Sequence, residues 1–226
     1  MPKFEPDIYS SAPLKALFAD EAVALSPVLA RCTGEHGLHL LPAVAAEPPP
    51  LPLLGHWASV QVQGTRLGGD IQASGLEPLP FADDAFGVVL LRHALEVSAR
   101  PSALLAEAIR VLEPGGTLAI AGVHPLGPWS PWVHWRGGAA PPRLTWPWWW
   151  RQRLASDDMK LEPVRRIGHF LPRSDSTRVG ESVFGGGYVV IARKSRPSTV
   201  PLRPRLAAVP TPMPGSLASG ARRNAR

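Results

Sequence analysis

With 226 residues and 45% hydrophobic content, the chain can bury one sizeable core, which excludes a wholly disordered protein. No apolar run reaches the ~20 residues that span a bilayer, and the start MPKFEPDIYS predicts no secretion signal. The net charge of +6 belongs to one end: seven of the 24 basic residues lie from Lys194 onward, with no acid among them. That leaves 17 bases against 18 acids in the rest, so the body is close to neutral.

Residues 11–31 predict a helix, with Ser10 or Ser11 as N-cap and Pro13 in the first turn. Leu14, Leu17, Phe18, Val23 and Leu25 supply its apolar stripe, and Pro27 kinks or ends it. The run LHLLPAV, 38–44, predicts a buried strand over 38–43. The prolines of AAEPPPLP then bar a regular helix. WASVQVQG alternates as a strand over 58–63, and RLGGDIQAS reads as a further short one.

The stretch LPFADDAFGVVLLRHALE, 79–96, begins the clearest pattern. Its strand, 88–92, has no polar alternation, as expected when helices cover both faces. PSALLAEAIRVL, 101–112, predicts an amphipathic helix that Glu113-Pro114-Gly115-Gly116 ends, and TLAIAGV predicts a strand over 117–122. Strand, helix, turn and strand in this order form a βαβ unit with parallel strands. LEPVRRIGHFLP and the segment 186–194 read as two later strands, the last over 187–193. Seven of the eight tryptophans fall between Trp129 and Trp150, in a segment read mainly as an ordered loop. The cluster either packs on the sheet as a lid and helix start, stacks on a flat substrate, lines a substrate pocket, or meets a membrane interface. Arg136, Arg143, Arg151 and Arg153 beside it suit an anionic or aromatic ligand.

Leu79-Pro80-Phe81, Asp83-Asp84-Ala85-Phe86, Leu95-Glu96 and Arg110-Val111-Leu112-Glu113-Pro114-Gly115-Gly116 together resemble the class I S-adenosylmethionine-dependent methyltransferases of the type 11 group. GVHPLGPWS and the terminal strand followed by PLRPR resemble a divergent proteobacterial subgroup. The resemblance implies an α/β, Rossmann-like, doubly wound and mostly parallel sheet with an antiparallel final strand. It implies a methyltransferase-like domain over 1–193, with a Trp-rich lid or insertion at about 124–150. Residues 194–226 are expected to form a disordered basic tail making weak contacts with anions.

In such a fold the cofactor sits beyond the carboxyl ends of the strands. The resemblance therefore implies S-adenosylmethionine beyond Leu41, Pro42 and Ala43, with Gln63 near the ribose, Asp70 or Glu77 near the adenosine beside Leu79, and Arg92 and His93 toward the methyl group. The chain departs from the family at each point: Pro42-Ala43 replaces a glycine loop, Gln63 an acid, Gly75 an acid, and Gly87 an acid. No catalytic residue is assigned, because methyl transfer to a good nucleophile needs chiefly alignment. His93 is read either as a substrate-orienting base or as a structural histidine bonded to backbone.

The histidines show no metal spacing, so no metal is expected. The single Cys32 excludes an internal disulfide and fits the cytoplasm. Three functions are open: a methyltransferase on a small-molecule or macromolecular acceptor, a non-catalytic methyltransferase-like module, or a nucleic-acid-associated protein using its tail. A monomer or dimer is expected.

Overall fold

The computed structural model describes residues 8–32, 34–42, 48–50, 55–138, 141–157, 159–173 and 181–196. Ala43 and the expected tail beyond 196 lie outside them. Two compact units divide the chain, residues 1–196 and 197–226, and the described elements all belong to the first.

Four parallel strands form the centre of the sheet: β1 (His36–Pro42), β2 (His56–Gln63), β5 (Phe86–Arg92) and β6 (Leu112–Val123), in the order β2-β1-β5-β6. Both flanks are antiparallel. On one, β3 (Arg66–Gly69) folds back on β2, and β4 (Ala73–Ser74) on β3. On the other, β9 (Gly187–Lys194) pairs antiparallel with β6, as expected for the final strand, and carries β7 (Met159–Leu161) and β8 (Arg165–Ile167).

The sheet separates two hydrophobic cores, because successive strand residues point to opposite faces. Val89 and Leu91 of β5 pack in one core with Leu104, Leu105 and Ala108 of α3 (Pro101–Arg110) and Trp150 and Leu154 of α5 (Pro147–Ser156). Val88 and Leu90 pack in the other with Leu14, Leu17 and Leu25 of α1 (Ala12–Leu29) and Trp129 and Val133 of α4 (Trp129–Arg136). Helices thus cover both faces. Yet among the described residues none connects β1 to β2, and the chain from β2 to β5 runs through a hairpin instead. Gly64 turns that hairpin at φ +60°, where a side chain would be strained.

Local readings change in three places. Pro27 sits within the last turns of α1 without ending it, and Val23 is exposed while Glu21 takes the buried face. The Trp-rich segment is not mainly loop: α4 and α5 occupy most of it, one on each face, because Trp129 and Trp150 have core positions to fill. The Glu113–Gly116 turn is folded into β6, whose pairing with β5 shifts register between Phe86 and Val88.

The most recognisable motif is a clamp. Arg110 donates to the carbonyls of Leu79 and Phe81, both at 3.0 Å, and pairs with Glu107 at 2.7 Å and Asp83 at 2.5 Å. Glu107 accepts the Leu79 N–H at 2.8 Å. Its carboxyl is held below the usual range, first by the hydrogen bond from Arg110. Asp84 pairs with Lys194 at 2.7 Å, fastening β9 to the same loop. Replacing Arg110 by alanine frees two carbonyls and two carboxylates. Urea denaturation is expected to show a loss of about 1–3 kcal/mol; an unchanged midpoint would mean the clamp contributes nothing.

Candidate functional site

The carboxyl ends of β1, β2, β5 and β6 share one edge, which is where an open α/β sheet places its ligand. At its centre β5 ends in Arg92 and His93, and His93 adopts φ +55° before α2 (Ala94–Val97). That left-handed conformation is strained for a histidine and persists only where surroundings enforce it.

The surroundings are a buried charged network. His93 Nε2 meets Glu21 Oε1 at 2.6 Å, and its Nδ1 meets Glu96 Oε2 at 3.0 Å. Arg92 Nε donates to Glu21 Oε2 at 2.8 Å, another of its nitrogens donates to the Phe18 carbonyl, and its guanidinium lies over the Phe18 ring. Tyr9 donates its hydroxyl to Glu96 Oε2 at 2.8 Å, while the Val123 N–H donates to Glu96 Oε1 at 2.6 Å. All five side chains are at least 95% buried.

Electrostatics follow from this geometry. Burial alone would lower the His93 pKa, but the charges of Glu21 and Glu96 outweigh it and push it up to about 10. Burial would likewise raise Glu21, but His93 and Arg92 hold it below the ordinary carboxylate range. Each ring nitrogen of a protonated His93 can therefore donate to one carboxylate. Two acids and two bases balance, which is how buried charges are tolerated.

This arrangement decides among the expectations for these residues. Arg92 and His93 are brought together, but they face Glu21 and Glu96 rather than a ligand crevice. Both nitrogens of the His93 ring have carboxylates rather than backbone as partners. Asp70 hydrogen-bonds the Ser59 N–H at 2.7 Å, three residues short of Val62, or about 10 Å down the strand from the ligand edge. It is not placed to hold an adenosine there. The reason is the hairpin, since β3 runs antiparallel and carries Asp70 away from that edge. Glu77 is exposed beyond β4, its N–H bonded to the Ser74 carbonyl. Leu79 is buried beneath the Arg110 clamp.

Leu41 and Pro42 end β1 and are buried. Over that end the chain is stitched across from both sides: the Gly64 N–H donates to the Val97 carbonyl at 3.1 Å, and the Ala99 N–H to the Gly64 carbonyl at 2.9 Å. Gln63 is exposed at the end of β2. A cleft of about 380 Å³ adjoins it, lined by Gln61, Gln63, Arg66, Leu67, Gly68, Gln72 and Ala73.

At the end of β6 stands His124, whose Nδ1 accepts the Leu126 N–H at 3.1 Å and whose ring meets Trp146 at 5.6 Å and Tyr188 at 6.3 Å. Burial lowers its pKa, keeping the imidazole neutral. Tyr188 is pushed well above the usual phenol range by burial and then by the Glu96 charge, and it accepts the Trp150 indole N–H at 3.1 Å.

Sequence reasoning overlooked Glu21 and Tyr9, and weighed His39 only as a metal ligand. For Glu21 the signal existed: an acid four residues after Leu17 and four before Leu25 lies on the buried stripe of a helix. Among the described residues, no group of three or more His, Cys, Asp and Glu side chains could hold a metal ion.

S-adenosylmethionine fits the described edge only in a reduced form. The Gln63 amide can both donate to and accept from a ribose hydroxyl, with Arg66 and Gln72 beside it. No carboxylate ends β2, and the backbone groups of Gly64 are already paired.

Residues 55–120 match the family model of the methyltransferase domain. Protein YafS of Escherichia coli (strain K12) is 41% identical over 73 residues, 32% of this chain and 29% of its own length. The chain thus aligns with under a third of the curated relative it matches. Among solved structures, a SAM-dependent methyltransferase of Thermotoga maritima superposes with a TM-score of 0.53 at 14% identity, covering 80% of this chain and 92% of that one. One from Archaeoglobus fulgidus gives 0.52 at 12%, covering 78% and 94%. At such identities these structures speak for the fold, while the 55–120 match speaks for the sequence. The stretch 55–120 is thus similar to the methyltransferase domain, and the sheet has the fold of the solved S-adenosylmethionine-dependent methyltransferases.

Proposed function

We propose that the chain is an S-adenosylmethionine-dependent methyltransferase with a weak cofactor site. The observation that supports this reading most is the agreement between the 55–120 match and the parallel β2-β1-β5-β6 edge that these residues build. When bound, the cofactor supplies an electrophilic methyl group. Gln63, with Arg66 and Gln72, is the set available to hold its nucleoside, and Leu41 and Pro42 floor that side of the edge. Arg92 and His93 act through Glu21 and Glu96: they fix the level of α1 and α2 and move no proton. His124 is a neutral imidazole toward the acceptor side: its Nδ1 accepts the Leu126 N–H, so its Nε2 carries the proton and can donate a hydrogen bond. The acceptor is a small molecule or a macromolecule, and the protein works as a monomer or dimer. A single cysteine, buried and bonded to the Val28 carbonyl, supports a reducing compartment such as the cytoplasm.

A second reading, a methyltransferase-like module without catalysis, is favoured by the network that fills the end of β5. Calorimetric titration separates the two. Ligand bound only to the folded chain stabilises it by RT ln(1 + [L]/Kd), about 1.8 kcal/mol for roughly 1 mM S-adenosylhomocysteine at a Kd of ~50 μM. Binding heat and a raised melting temperature are expected. If neither S-adenosylmethionine nor S-adenosylhomocysteine binds a demonstrably folded chain at millimolar concentration, the module replaces the enzyme.

A further inference from the structure

A second feature gathers at the same end of the sheet, on the β6–β9 side. The Trp146 ring meets His124, and Leu126 follows two residues later, its N–H on that imidazole. The space beside Gly127 is bounded by the Phe170 ring. Gly186 N–H donates to the His169 carbonyl, and the turn bearing Val183 and Phe184 closes through Gly185 N–H and the Ser182 carbonyl. Trp148 and Trp149 stand on the first turn of α5, which Trp150 anchors to Tyr188 at the start of β9.

These side chains are turned outward. Trp148 is 57% exposed, Phe184 68% and Val183 80%, with Leu126, Trp146 and Phe170 also exposed. Outward apolar groups concentrated at one end mark an interaction surface rather than a core. The accompanying charge has one sign along the Trp-rich stretch. From Pro114 to Ser156 the chain has no Asp or Glu, while Arg136, Arg143, Arg151 and Arg153 lie within it. Arg143 is exposed at this end, its backbone N–H on the Glu96 carbonyl. The nearby acid Glu181 is paired with Arg165 at 3.1 Å.

We infer that this end of the molecule docks on the surface of an anionic lipid bilayer. Indole rings favour the water–hydrocarbon boundary, where an apolar ring and a polar N–H are both satisfied. Arginines interleaved with them meet acidic headgroups, and a buried acid such as Glu96 leaves that attraction intact. No helix among the described residues is long and apolar enough to cross a membrane. Docking holds the carboxyl edge of the sheet against the interface. It rests on the exposed surface alone and stands whether or not the cofactor binds.

Flotation of the full chain with phosphatidylcholine vesicles carrying about 30% phosphatidylglycerol tests this, against vesicles of phosphatidylcholine alone. Binding is expected to be about tenfold stronger to the anionic vesicles, and about tenfold weaker for Trp148→Ser/Phe184→Ser than for the parent chain. Arg143→Glu/Arg151→Glu is expected to lose the preference for anionic lipid. Both double variants alter exposed or half-exposed side chains, and their melting curves confirm folding. Failure to bind anionic vesicles overturns the inference. So does equal binding to neutral vesicles. Unchanged binding by Trp148→Ser/Phe184→Ser also overturns it, since attraction would then come from charge elsewhere, including the basic residues beyond 196. Capture by a protein partner without vesicle binding overturns it as well.

Discussion

Replacing Glu21 by alanine is expected to destabilise the chain by about 3–5 kcal/mol, a large share of an ordinary domain's stability. The substitution removes the carboxylate that pairs with both His93 and Arg92, leaving two cations in a site that excludes water. Glu96 still faces His93, but Arg92 keeps only the Phe18 carbonyl and ring. Glu21→Gln separates charge from shape, because its amide oxygen still accepts one hydrogen bond. It is expected to fall between parent and alanine variant in urea denaturation. A loss below about 1 kcal/mol for Glu21→Ala would show that the ion pairs are not held in this geometry. The consequence for function is that α1 is part of the sheet edge. A lid that opened by lifting α1 would have to break the same ion pairs.

Stability should also peak near pH 6.5, for a reason carried by two buried histidines. The folded pKa of His93 is about 10 against an ordinary 6.5, so the native chain holds a proton that the unfolded chain lacks between these values. Its contribution is complete below pH 6.5 and is lost as pH rises toward 10, by up to about 1.4 kcal/mol per unit. His39 has the opposite sign. It is fully buried in β1 with neither ring nitrogen hydrogen-bonded, and burial, then the nearby Arg92 charge, lower its pKa to about 3. Glu21 opposes that shift without cancelling it. The unfolded chain therefore binds a proton that the native chain refuses, and stability falls as pH drops below 6.5. Glu21, held below its ordinary range, adds to the acid loss only below pH 4.5. Urea midpoints across pH should trace both limbs. His39→Leu should lessen the acid slope between about pH 5 and 6.5, His124, whose pKa burial also lowers, supplying the remainder, while leaving the alkaline limb. Retention of the full acid slope in that variant would assign those protons to another group.

The two histidines also show where sequence reading stops. His39 stands in an apolar run and His93 at a strand end, and neighbouring residues in the chain do not reveal what faces them. One lies in the sheet between Ser59 and Leu90 with its ring against Trp57, and none of these gives its ring nitrogens a hydrogen bond. The other is charged because α1, more than 70 residues earlier, delivers Glu21. The pairing depends on which turn of α1 crosses which strand end. Local periodicity contains no such information.

Elements set by local rules were legible. Unbroken apolar runs marked β5 and β6, amphipathic spacing marked α3, and alternation marked β2. Proline and glycine at 113–116 marked the end of the helix, although the sheet absorbed that turn as an irregularity. The family resemblance in 79–116 was legible for the same reason, since its residues form a local clamp between one loop and one helix. Tertiary structure alone decided the site. The β2–β3 hairpin carried Asp70 from the ligand edge, α1 closed the end of β5, and the Trp-rich helices divided their indoles between two cores and solvent. Each outcome depends on long-range contacts whose energy comes from burial and paired charge. A side chain's role at such a place is fixed by what the fold brings opposite it.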